Sequence, residues 1–357
     1  MIVNVTKKLA EKMNISPIEA SSTDKLLAWR AHIGRANRSN FVVFMHEETR
    51  FAVVLTRVTT VKLKKLSELF FETLKLVLLS YGINPEIIDW FIAKQGSIVF
   101  SRNTDAKKTA QLTSACEVIK MIADNNDSDI SLSKILNYRP VGRDYYFPIE
   151  KMLEVFKSSG LPIYKQSAFE LTIRLDLDGN DAIRKIRVPV DYTFEQLHHI
   201  IQKAYCWNNY HLYCFELYSE WPNDFHDKPD MVLTMYDDED LEIYHNGIDM
   251  DGHVLSEFIP KYRKIIYYYD FGDGWHHYIT VDEVIKECNE YLPCLINGEG
   301  DPPPEDVGGP YGFQEFLEII NNPNHDEYEE MITWAHSQGW KRFDYDYIVR
   351  RISSKYI

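Results

Sequence analysis

The chain has 357 residues, 45% of them apolar and 13% aromatic, which suffices for two domains with cores of their own and argues against disorder. Its formal net charge of −15 excludes a protein that coats itself in nucleic acid, because phosphate binding rests on cationic neutralisation. No run of about 18 apolar residues offers a membrane span, Met1–Lys12 lacks the apolar stretch of a secretory signal, and five cysteines with no Cys-x-x-Cys pair indicate the reduced thiols of a cytoplasmic protein.

The charge is unevenly spread. Residues 1–160 carry 23 Lys and Arg against 17 Asp and Glu, whereas residues 161–357 carry 16 against 37. A nucleic-acid contact therefore belongs to the N-terminal half, and a basic protein partner suits the acidic half. An acidic surface also simply confers solubility.

In chain order, Met1–Thr6 suits a first strand, and Ser16–Glu19 has the cap, proline and glutamate of a helix start. Phe41–Met45 and Arg50–Val58 are β-rich runs joined by a turn at His46–Thr49. Leu63–Tyr81 repeats Leu66, Leu69, Phe70, Leu74, Val77 and Leu78 at helical spacing, the stripe of a core-facing helix. Lys62, Lys64 and Lys65 would begin that helix, where the macrodipole does not favour them. With Arg102, Lys107 and Lys108 they make either a phosphate-contacting patch or an ordinary solvated face. Pro85–Ala93, Lys107–Ala123 and Phe147–Phe156 read as helices, Ile98–Phe100 as a strand and Asn125–Ser133 as a polar break. A boundary falls at Ser158–Pro162, giving domains 1–158 and 166–357 with a linker over 159–165.

Beyond it, Phe169–Leu177 alternates apolar and polar residues, Asp178–Asp181 turns, and Ile183–Val190 returns. Thr193 and Gln196 form a capping box for a helix whose stripe is Phe194, Leu197, Ile200, Ile201 and Ala204. Leu212–Tyr218 is a third strand. The class is α+β, with a β-grasp-like hairpin, helix and strand in the second domain. Asn223–Glu239 reads as a polar insertion, and Phe313–Ile320 and His325–Gly339 as late helices.

Two stretches carry the chemistry. Tyr267–Thr280 runs Tyr-Tyr-Tyr-Asp-Phe-Gly-Asp-Gly-Trp-His-His-Tyr-Ile-Thr, a hairpin around Asp273-Gly274. Asn297–Gly312 is a glycine- and proline-rich loop containing Pro-Pro-Pro-Glu-Asp. Asp270 and Asp273 either cap their own turn or join His211, His277, Glu305 and Asp306 in a polar cluster. Those donors suit Mg²⁺, Mn²⁺ or Zn²⁺, and no other cofactor is indicated. Asp-Phe-Gly is not a kinase signature here, since neither a His-Arg-Asp loop nor a glycine-rich phosphate loop accompanies it.

The C-terminal half resembles the plasmid pRiA4b ORF-3-like family from about residue 166 to 350. The resemblance rests on Leu197-His198, Trp207, His211-Leu212, Tyr269–Asp273, Trp275, His277, Pro293-Cys294, Gly298-Glu299, Pro303–Asp306, Gly308–Pro310, Gly312 and Phe343-Asp344. The chain departs from the family pattern at Ile183-Arg184-Lys185, and it has Pro302 and Val307 where relatives often place cysteines around Pro-Pro-Glu-Asp. Residues 1–157 resemble a bacterial domain of unknown function through Trp29, Thr49–Phe51, Leu66–Phe70, Arg102-Asn103, Asn137–Pro140 and Pro148-Ile149. The resemblance implies a protein associated with plasmids and mobile elements. Some relatives are labelled resolvases, but an acidic half without clustered arginines does not suit a serine recombinase. The expected role is a non-catalytic binding or regulatory module for nucleic acid or a protein, docked in one version through exposed Tyr and Trp. A metal-dependent hydrolase using the Asp, Glu and His cluster is the alternative.

Overall fold

The computed structural model describes residues 1–353 except 21, 23, 103–104, 125–126, 178, 223–226 and 236–245. Asn103, Asn125, Asp178 and parts of Asn223–Glu239 thus lie outside the described residues. Helices and two sheets make a chain of α+β class, and its internal contacts divide it into two units between Lys165 and Gln166.

In the first unit, β1 (Ile2–Val5), β2 (Ala28–Ala36), β3 (Ser39–His46), β4 (Ala52–Leu55) and β5 (Val99–Arg102) form one sheet in the order β4-β3-β2-β1-β5. β1 is parallel to β2 and β5, and the other pairs are antiparallel. Val42 and Phe44 pack with Phe70 and Leu74 of the helix Leu66–Leu79, whereas Phe41 and Val43 pack with Leu112 and Ile119 of the helix Ala106–Ile122. A sheet covered on both faces needs apolar side chains at both parities, which is why Phe41–Met45 reads as an unbroken apolar run.

Local signals gave way to tertiary pairing in places. Ser16–Glu19 starts no helix: Ile18 N donates to Phe100 O and Arg102 N to Ile18 O, so the segment bridges to β5. Those hydrogen bonds outweigh a capping signal of about 1 kcal/mol. Lys62 and Lys64 do not begin the long helix. They occupy the last turn of a short helix, Thr60–Lys64, with Lys65 as its C-cap, and cations at a helix C-terminus are favoured by the macrodipole. Leu161, Ile163 and Tyr164, placed in a linker from the sequence, pack on the core of this unit.

The second unit is an eight-stranded sheet. Its strands are β6 (Gln166–Leu175), β7 (Ala182–Pro189), β8 (Tyr213–Tyr218), β9 (Met231–Thr234), β10 (Gly247–Asp249), β11 (Lys264–Tyr269), β12 (Trp275–Cys288) and β13 (Cys294–Glu299), in the order β10-β9-β8-β11-β12-β6-β7-β13. β9 and β10 are parallel and the other pairs antiparallel. The hairpin β6–β7, the helix Phe194–Ala204 and β8 come in the expected sequence, but β11 and β12 stand between the hairpin and β8. Leu171, Ile173 and Leu175 share a core with Phe194, Leu197 and Ile201 of that helix. The opposite face of the hairpin carries an ion-pair set in which Glu170 meets Lys185 at 2.7 Å and Arg187 at 2.8 Å.

Strand register brings two distant loops together. Tyr269, the last residue of β11, pairs with Tyr213 at the start of β8 and with Trp275 at the start of β12. The segments before β8 and between β11 and β12 therefore meet at one end of the sheet, where Asp270 N donates to Leu212 O at 3.0 Å.

Candidate functional site

Asp270 succeeds β11 with a left-handed backbone, φ 55°, and closes a tight turn. Its Oδ1 accepts from Gly272 N at 3.0 Å and Asp273 N at 3.3 Å, an arrangement that suits aspartate at a turn. The other oxygen faces away from the turn: Oδ2 lies 3.6 Å from His211 Nε2. Asp306, also left-handed at φ 60°, brings Oδ1 to 3.0 Å from the same nitrogen. One donor atom from each of His211, Asp270 and Asp306 lies within 4.8 Å of the others. His211 Nε2 is shielded from solvent, yet it forms no well-angled hydrogen bond among the described residues despite its short distance to Asp306. Donors held at about 2.1 Å from one cation would sit about 3.0–3.4 Å apart; the His211–Asp306 separation of 3.0 Å falls in that range and the His211–Asp270 separation of 3.6 Å lies just beyond it.

The other residues singled out from the sequence have different work. Asp273 Oδ2 accepts from Gly308 N at 3.2 Å and ties the turn to the loop that carries Asp306. Gly309 fits there because of its φ of 72° and because a Cβ would sit 2.6 Å from Asp273 O. Glu305 is buried at 3% exposure. Its Oε1 accepts from Tyr269 Oη at 2.6 Å and its Oε2 from Asn208 N at 2.8 Å. His277 does not join the cluster. It alternates with the exposed His276 along β12 and is fully buried between Tyr205, Trp207 and Tyr267. Burial holds its imidazole neutral, with a pKa lowered to about 3. Its Nε2 has no hydrogen-bond partner among the described residues, and the near-perpendicular Trp207 and Tyr205 rings are what it packs against.

The six candidate basic residues, Lys62, Lys64, Lys65, Arg102, Lys107 and Lys108, do not form one surface. Lys62, Lys64 and Lys65 flank Leu63 and Leu66 of the core on one side of the first sheet, whereas Lys107 and Lys108 open the helix whose apolar face packs on the other side. Lys108 is engaged with Glu47 at 2.5 Å, and Lys62 Nζ donates to Thr56 O. Arg102 and Lys107 are exposed.

Two buried arrangements were not foreseen. His198 Nδ1 meets Tyr267 Oη at 2.7 Å and Nε2 meets Asn209 Oδ1 at 2.7 Å, while Gln202 Nε2 donates to Tyr267 Oη and Gln202 Oε1 accepts from Asn209 N. This network pins the segment leading to His211. Burial lowers the His198 pKa to about 3. Arg184, fully buried, donates to the carbonyls of Ala204, Ile183, Glu299 and Gly300.

Both units have relatives among known proteins. Residues 167–350 match the family described as plasmid pRiA4b ORF-3-like protein, and residues 2–151 match a domain of unknown function, DUF6933. An uncharacterized protein, y4hQ, of Sinorhizobium fredii (strain NBRC 101917 / NGR234) is 31% identical over 176 residues, covering 49% of this chain and 84% of the relative. A crystal structure of a protein of unknown function, MM3350 from Methanosarcina mazei Go1, is similar at 25% identity and a TM-score of 0.43, over 51% of this chain and 97% of the other.

Proposed function

The chain belongs to the plasmid pRiA4b ORF-3-like family, and from that footing we propose that its second unit is a binding module built on a divalent-cation site at His211, Asp270 and Asp306. The observation that carries this reading is the convergence of three donor atoms from three loops within 4.8 Å. It is supported by the shielded His211 Nε2, which faces two carboxylate oxygens without a good hydrogen bond to either. An imidazole and two carboxylates suit Zn²⁺ or Mn²⁺, and Mg²⁺ less well because it favours an all-oxygen shell. The acidic half that contains the site suits a basic protein partner, and all five thiols are free, as in a reducing compartment.

Three protein donors would leave a coordination position open, which is the observation favouring metal-dependent hydrolysis as a second reading. Titration calorimetry of the purified chain with Zn²⁺, Mn²⁺ and Mg²⁺ tests the first reading. One ion should bind per chain, and His211→Ala or Asp306→Asn should abolish saturable binding. Heat no greater than dilution for all three ions, or undiminished binding by His211→Ala, sinks the proposal.

A further inference from the structure

Each of the three donors is the next residue in sequence after a residue engaged in one buried clip. Tyr210 precedes His211, Tyr269 precedes Asp270, and Glu305 precedes Asp306. Tyr269, with no exposed surface, donates its hydroxyl to Glu305 Oε1 at 2.6 Å and accepts from Tyr210 N at 3.1 Å. Glu305 Oε2 accepts from Asn208 N at 2.8 Å. Trp207 stacks on the Tyr269 ring, with centroids 5.0 Å apart, and its Nε1 donates to Pro303 O at 2.8 Å, closing the clip from the side.

We infer that Glu305 and Tyr269 are positioning residues that hold the three donor loops in register for the cation, an inference that rests on the binding reading above. The direction of every bond in the clip is determined. Backbone N–H groups of Asn208 and Tyr210 can only donate, so the Tyr269 hydroxyl, accepting from Tyr210, is left to donate to Glu305. Glu305 thus receives two donors on two oxygens and needs to be an acceptor at both, a requirement that carboxylate meets and carboxamide does not.

The clip bears on donor loops whose backbone enters the left-handed region. Asn209, Asp270 and Asp306 all have positive φ, at 61°, 55° and 60°. Non-glycine residues stay in that region when the surroundings over-determine them. Glu305 lies 36 residues from Tyr269 and 97 from Asn208 along the chain, and its two bonds tie the three segments together beside those of Asp270 N to Leu212 O and Gly308 N to Asp273 Oδ2. Tyr269 and Glu305 would act on the ion through His211, Asp270 and Asp306, as outer-shell partners do in metal sites.

The test is calorimetric titration with Zn²⁺, at a temperature well below every variant's melting point, on the whole chain and on Glu305→Gln, Tyr269→Phe, the double variant, and Leu233→Ala. Leu233 is a fully buried core residue of β9 and takes no part in the clip, so it reports the effect of lost stability alone. Glu305→Gln and Tyr269→Phe should each weaken Zn²⁺ binding about 10- to 100-fold, the usual loss for outer-shell partners. The double variant should lose no more than the worse single, because the two act as one unit. Leu233→Ala should melt lower but bind as tightly as the parent. Parent-like affinity in both single clip variants overturns the inference while leaving the cation site standing, as does an equal loss in Leu233→Ala. Absence of Zn²⁺ binding by the parent chain removes the site, and the inference with it.

Discussion

Replacing Arg184 by methionine should lower the stability of the second unit more than an ordinary surface change would. The guanidinium has no exposed surface and lies between the rings of Tyr205 and Phe343, 5.0 and 4.5 Å from their centroids. It donates to four carbonyls: Ala204 at 3.0 Å, Ile183 at 2.8 Å, Glu299 at 2.6 Å and Gly300 at 3.1 Å. These bonds join β7, the end of the helix Phe194–Ala204 and the end of β13. Charge-assisted bonds contribute about 1.5–3 kcal/mol each, and a carbonyl left buried without a donor costs about 1–3 kcal/mol. Against them stands the desolvation of the cation, several kcal/mol, which methionine avoids. Burial also lowers the Arg184 pKa. Four buried carbonyls losing a donor at about 1–3 kcal/mol each, set against the desolvation that methionine avoids, leave a net loss of about 3–5 kcal/mol. For a unit of this size that is a fall of about 6–20 °C in melting temperature. Arg184→Lys keeps the charge but not the planar fork, so it should recover part of the loss and not all of it. Scanning calorimetry reads both variants. A melting temperature for Arg184→Met within about 2 °C of the parent would refute the reasoning, since it would show the four carbonyls satisfied without the guanidinium.

Acid should destabilise the second unit through its buried histidines. His198 and His277 are held neutral with pKa values near 3, so the unfolded chain takes up their protons first, below the usual value of 6.5. Their stabilisation is complete above pH 6.5 and declines toward pH 3, by about 1.4 kcal/mol per pH unit for each residue. Urea unfolding between pH 7 and 4.5 should therefore show a slope that is one proton shallower in His277→Phe, and an unchanged slope contradicts the assignment. Gly300→Ala places a Cβ 2.4 Å from Asp181 O at a φ of 78° and should cost at least the about 1–3 kcal/mol of overpacking. Gly339→Ala, where a Cβ meets nothing within 4 Å, should cost only the about 1–2 kcal/mol of left-handed backbone; equal losses from the two would show that the close approach is absent. Thr193→Ala removes the hydroxyl that accepts from Gln196 N and should lower stability by about 1 kcal/mol in the same calorimetric measurement.

Much of the second unit was legible residue by residue. Thr193 and Gln196 form the expected capping box, and β11 and β12 flank the expected turn. The place of His277 could also have been read. Trp275, Ile279 and Val281 share its parity on β12 and are buried, so the period of two assigns His277 to the core and His276 to solvent. Glu305 reads in the sequence as one more acid of the cluster, because a sequence does not tell a carboxylate that faces a ligand from one that accepts two buried N–H and O–H donors. Lys62, Lys64 and Lys65 run in sequence into the apolar stripe of the residues that follow, and only the break at Lys65 separates the two helices that meet there. Ser16–Glu19 failed for a different reason: the edge of β5 offered its backbone better partners than a helix would.

What the sequence determined by itself is what nearest neighbours decide: strand and helix periods, a helix cap, turn residues and the uneven charge of the two halves. Which loops meet was decided only by the tertiary structure. The order of β8, β11 and β12 sets the segments bearing His211 and Asp270 side by side, and Glu305, 97 residues from Asn208, brings Asp306 to them. Hydrogen bonds across that separation have no local signature, because they form once the sheet has fixed which strand ends are neighbours.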